Sequence, residues 1–137
     1  MKNVIVFSLA ALAAASALAA APETDWVPVG KSDTETVYLQ RTAATIYANG
    51  ERRTWVRSVF VNPREAGGFV FKTMMAHLIF DCEHNQSKLV QTDFIDAAGA
   101  VVYSDAQPDA AYAPIAADSE TAFIKGFVCI EKKGAAK

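Results

Sequence analysis

Cys82 and Cys129 are the only two cysteines of the chain, and they stand 47 positions apart behind an N-terminus with the features of an export signal. Lys2 supplies a short positive start, Val4 to Leu12 an apolar stretch, and Ala17-Leu18-Ala19 a small-x-small cleavage site. Together these read as a secretory signal peptide. Export delivers the remainder to an oxidising compartment, where an even pair of cysteines forms and keeps a disulfide. A staple closing a loop of that size is worth about 4 kcal/mol in the chain-entropy model. The fold must therefore bring position 82 against position 129.

The competing reading of the N-terminus is a membrane anchor, because Val4 to Ala21 carries only Ser8 and Ser16 as polar residues. The stretch is alanine-rich, close to the lower length limit for a span, and no Lys or Arg cluster follows to stop transfer. Cleavage is expected after Ala19 and not after Ala21, since Pro22 would make a poor first residue. A lipoprotein signal needs a cysteine directly after the cleavage site, and the first one is Cys82. Residues 1–19 thus read as the signal peptide and 20–137 as one exported domain, periplasmic or secreted, that is not a lipoprotein. No second apolar run approaches membrane length. The net charge is −2 and becomes more acidic when Lys2 is removed, so nucleic-acid binding has no electrostatic support.

Past the leader the sequence is β-prone. Trp26-Val27-Pro28-Val29 predicts an edge strand, because Pro28 cannot donate to a ladder. Thr36 to Gln40 is a second strand, and Thr45-Ile46-Tyr47 and Thr54 to Val61 flank the hairpin signal Asn49-Gly50. Asn62-Pro63 and Gly67-Gly68 mark a long connection, with the next strand starting near Phe69 and Phe71. Met74, Ala76, Leu78, Phe80 and Cys82 then point one way, and Thr73, His77 and Asp81 the other. Glu83 to Lys88 is a polar turn, Leu89 to Ile95 a strand, and Asp96 to Gly99 a turn into Val101-Val102-Tyr103. Pro108 and Pro114 predict irregular structure from Ser104 to Ala117.

The C-terminal segment changes period. Asp118 is the expected N-cap, and Ala122, Phe123, Gly126, Phe127, Cys129 and Ile130 share a broad apolar face at helical spacing. Gly126 would let that face approach a sheet closely. Cys82 on a strand and Cys129 on this helix meet only if the helix lies across the sheet. The fold class is α+β: an antiparallel sheet of about six strands with a C-terminal helix packed on one face and tethered by the disulfide.

Trp26 at the domain start, Phe80-Asp81-Cys82 closing a strand, Phe94-Ile95-Asp96 leading to Gly99 and Val101-Val102, and the final Phe127-Val128-Cys129 occur in an order that resembles the surface-adhesin protein E family. The resemblance covers Trp26 to Cys129. It implies an antiparallel sheet with a disulfide-tethered C-terminal helix. It also implies a protein ligand, since the best-known members are bacterial surface adhesins that bind host plasma and extracellular-matrix proteins.

His77, Asp81, Cys82, Glu83 and His84 are crowded enough to suggest a metal site, but strand alternation turns His77 and Asp81 away from Cys82, and export commits Cys82 to a disulfide. No metal and no cofactor are expected. Asp93 with Asp96, or Asp81 with Glu83, read as solvated groups at strand ends, and no Gly-x-Ser-x-Gly elbow exists, so no enzyme is expected. Arg53, Trp55 and Arg57 stand at i, i+2, i+4 of one strand, where guanidinium groups share a face with an indole. Arg and Trp are enriched at binding hot spots. The plainer alternatives are arginine stems covering an outward tryptophan, or Trp55 buried with Val59 and Val61. Three readings follow: an exported adhesin-like protein-binding module, a periplasmic inhibitor or envelope-housekeeping protein with Ser104 to Ala117 as its plug, and a degenerate small enzyme. Homodimerisation is left open.

Intact-mass analysis of material from the periplasm or medium should show a chain starting at Ala20. A chain retaining Met1 in the membrane fraction would reject the cleavage.

Overall fold

A computed structural model describes residues 25–40, 45–46 and 50–130. The signal peptide, the start at 20–24, Tyr47 and Asn49 of the hairpin signal, and the tail from 131 lie outside the described residues. The elements are β1 (Trp26–Lys31), β2 (Glu35–Gln40), β3 (Thr45–Ile46), β4 (Glu51–Ala66), β5 (Phe69–Asp81), β6 (Gln86–Ile95), β7 (Val101–Ala106), β8 (Ala113–Pro114) and α1 (Glu120–Val128). The sheet runs β1-β2-β4-β5-β6-β7, with β3 paired to β4 and β8 to β6. All pairings are antiparallel.

β1 ends the sheet, where the missing N–H of Pro28 does least harm, and the pairing slips between Pro28 and Gly30. β4 sets the two faces. Thr54, Val56, Ser58 and Phe60 are buried, and the residues between them are only half-buried. Val56 lies opposite Leu39 on β2 and Ala76 on β5, so the buried side continues across three strands. Cys82, expected on the same side as Phe80 and Leu78, packs against this cluster.

One expectation along β4 and β5 is corrected. Residues 62 to 68 do not form a long connection. β4 continues through Asn62-Pro63 to Ala66, and Gly67-Gly68 turns directly into Phe69 with both φ angles positive. The punctuation at Pro63 is absorbed as an irregularity between Val59 and Arg64, where Val61 N–H bonds to Thr34 O instead of to β5. Beyond it Phe69, Phe71, Phe94 and Tyr103 form an aromatic cluster, with Phe69 stacked on Tyr103 at 5.0 Å.

The helix is rotated relative to expectation. Its N-cap is Ser119, not Asp118: Ser119 Oγ accepts from Ala122 N–H at 3.1 Å and donates to Ala116 O at 2.6 Å. Ile124 and Val128, one turn apart, are 1% and 2% exposed and share a cluster with Val37, Leu39, Val56 and Phe80. Phe123 and Phe127 remain 46% and 43% exposed, packed edge to face on each other. Gly126 has open space around it, so no close approach depends on it; the close approach is at Gly30, beside the Phe123 ring.

The disulfide joins Cys82 to Cys129, with Cα atoms 5.7 Å apart. Arg52 reinforces it. Its Nη1 donates to Val128 O at 2.8 Å and to Ile130 O at 3.1 Å, capping carbonyls that the helix end leaves open. Lys125 Nζ adds a bond to Asn85 Oδ1 at 2.6 Å.

Replacing both cysteines should lower unfolding free energy by about 2–5 kcal/mol, as in other small stapled domains. Arg52→Gln should cost about 2 kcal/mol, because two charge-assisted bonds to carbonyls are lost. Chemical denaturation of each variant measures both; an unchanged midpoint for Arg52→Gln would show that the disulfide alone holds the helix end.

Candidate binding face of the sheet

Arg53, Trp55 and Arg57 do share a face, the one opposite Thr54, Val56 and Ser58, and all three are half-buried. Trp55 is therefore not buried with Val59 and Val61; Val61 is 57% exposed. The expected stacking partner changes as well. Arg57 lies opposite Tyr38 on β2 and Met75 on β5, and its guanidinium carbon sits 4.8 Å from the ring centres of both Trp26 and Tyr38. Trp55 lies opposite His77, and their rings stack at 4.6 Å with 11° between planes. Trp26, Tyr38 and His77 thus join the candidate face, where the sequence alone places none of them beside Arg53, Trp55 and Arg57. Strand alternation was visible for β4, but the registers that place β1, β2 and β5 beside it were not.

Charges on this face are arranged in two groups. Glu51 bridges Arg53, at 3.3 Å to Nη2, and Tyr112, whose hydroxyl donates to it at 2.6 Å. Burial, aided by Glu51, pushes the Tyr112 hydroxyl up to about 12. Burial also holds His77 below the ordinary histidine value, and the nearby Arg53 charge adds to the effect. Arg57 is different. It has no ion-pair or hydrogen-bond partner among the described residues, and its Nε is buried without one. It borders a groove of about 710 Å³, lined also by Trp26, Tyr38, Lys72, Met75 and the turn at Asp96 to Gly99.

The residues that suggested a metal are spread apart. Cys82 is in the disulfide, His77 lies against Trp55, and Glu83 is exposed. Asp81 and His84 pair with each other, Oδ2 to Nδ1 at 2.8 Å, which lowers the Asp81 carboxyl and raises the His84 imidazole. Among the described residues no group of three or more His, Cys, Asp or Glu converges. Asp93 accepts from Ser104 Oγ at 2.6 Å and from Gln91 Nε2, and Asp96 Oδ1 accepts from Ala98 and Ala100 N–H in its turn. The segment 104–117 is not a free plug. β7 takes its start, β8 pairs with β6, Gln107 N–H bonds to Val90 O, and Ile115 is buried. No helix among the described residues is long and apolar enough to cross a membrane.

A family model described as surface-adhesin protein E matches residues 26–130. The chain belongs to the surface-adhesin protein E family. No curated protein and no solved structure matches it. The family match spans β1 to α1, from Trp26 of the groove to the disulfide, and marks the chain as an adhesin-like surface protein.

The depressed His77 has a signed consequence. The unfolded state takes up a proton near the ordinary histidine value of 6.5 while the native state resists it, so stability held above that pH declines as pH falls from there down to the folded value. NMR titration should place the His77 midpoint below 6.5, and Arg53→Gln should move it upward. An unmoved midpoint in that variant would remove Arg53 as a cause.

Proposed function

We propose that the domain is an exported, non-enzymatic protein-binding module of the adhesin kind. In this reading α1 lies across the sheet face that carries Val56, and the opposite face, with Arg53, Trp55 and Arg57, meets the partner. The observation that carries it is the half-buried Arg–Trp row on the sheet face opposite Val56 in an adhesin-family domain. An aromatic ring supplies large contact area with few rotatable bonds, and a guanidinium stacks on such rings while presenting a pre-organised fork of donors, which is why these residues concentrate binding energy. A plasma or extracellular-matrix protein of the host is the class of partner that family membership suggests.

Binding titrations of the exported protein against a panel of such proteins test this. Trp55→Ala should weaken capture by about 2 kcal/mol or more while leaving the thermal transition nearly in place. If the variant instead loses about 3–5 kcal/mol of stability, with binding of the folded fraction unchanged, Trp55 is a packing residue and this face is not the binding face.

A further inference from the structure

We propose that the Arg57 groove is a carboxylate-binding site that receives an acidic side chain flanked by apolar residues on a protein partner. The proposal rests on the protein-binding reading above and names the chemistry that its partner presents. Arg57 has ring centres at 4.8 Å on Trp26 and Tyr38, so aromatic surface holds the guanidinium while no carboxylate of the described residues neutralises it. Aromatic contact stabilises the flat faces of a guanidinium and leaves its N–H edge, whose geometry matches the two oxygens of a carboxylate. The two other arginines at the start of β4 differ: Arg52 is consumed by Val128 and Ile130 carbonyls, and Arg53 is paired to Glu51.

The groove around Arg57 fixes the rest of the ligand. Lys72 adds a second positive charge to the lining, and Val59, Met75 and Ile95 supply apolar wall. Asp96 is the acidic residue of the lining, and its Oδ1 is held by the Ala98 and Ala100 amides within the turn. The volume, about 710 Å³, admits a few residues of peptide. A sulfated polysaccharide fits less well. Polyanions gain affinity by engaging many cations at once, and this groove offers two on a chain of net charge −2.

The test uses the exported chain and a blocked peptide, acetyl-Ala-Phe-Glu-Phe-Ala-amide, beside its glutamine counterpart and a heparin oligosaccharide. The chain has two tryptophans, so the Trp26 indole N–H is a resolvable reporter in NMR titrations. The glutamate peptide should shift it saturably, and the glutamine peptide should bind about ten-fold more weakly. Arg57→Gln should lose a similar factor, Arg57→Lys should recover only part of it because the fork is gone, and Arg64→Gln, which removes the same charge away from the groove, should bind as the parent does. Thermal melts of each variant separate loss of binding from loss of fold. Equal binding of both peptides, undiminished binding by folded Arg57→Gln, or saturation by the oligosaccharide alone would each overturn the proposal. If a host protein is captured equally by the parent and by Arg57→Gln, the protein-binding reading stands and only the carboxylate site falls.

Discussion

A helix of nine residues does not persist alone in water, so α1 depends on what ties its end to the sheet. Cys129 is bonded to Cys82 at the end of β5, and Arg52 on β4 reaches the carbonyls of Val128 and Ile130 beside it. Two neighbouring strands therefore hold the same helix terminus, one covalently and one through a charge placed where the helix dipole is negative. With that end fixed, Ile124 and Val128 are drawn into the cluster with Val37, Leu39, Val56 and Phe80. Alternation does the remaining work. Once the even positions of β4 are committed to that cluster, Arg53, Trp55 and Arg57 must point to the other side.

What the sequence made legible follows from which signals are local. The β4 alternation, the Asp96–Gly99 turn, the edge placement of β1 and the Cys82–Cys129 pair depend on residues close in sequence or on a count of two, and each appears in the structure. The helix shows where local signals stop. Its apolar residues cover more of the circumference than one face can bury, so spacing alone favoured Phe123 and Phe127, while the tether at Cys129 turns Ile124 and Val128 inward. Asn62-Pro63 failed for a similar reason. Proline usually ends a strand, but here β4 can leave its β5 ladder, bond to Thr34 and resume at Arg64.

The candidate site was half legible. Arg53, Trp55 and Arg57 sit on a single strand, where period two settles their shared face. Their partners come from other strands, and a one-residue slip at β1 or β2 would have exchanged Tyr38 for a neighbour of opposite orientation. Trp26 is the clearest case. In the sequence it is only the opening residue of the first strand, and it joins the candidate site because β1 pairs with β2 so that both Trp26 and Tyr38 reach Arg57.

Several carboxylates of this acidic chain are engaged by local partners, and no described one is paired with Arg57. Glu51 is taken by Arg53 and Tyr112, Asp81 by His84, Asp93 by Ser104 and Gln91, and Asp96 by the amides of its own turn. Each of these partners lies on the same strand, an adjacent one or a connecting turn, so the pairing needs no long side-chain reach and little entropy is lost in making it. Arg57 is held by ring faces instead, which fix its plane without consuming its donors. The net charge of the molecule and the character of this groove therefore have opposite sign, and approach of an acidic partner segment is governed by the local field at Arg57 and Lys72 within about a Debye length rather than by the sum over the chain.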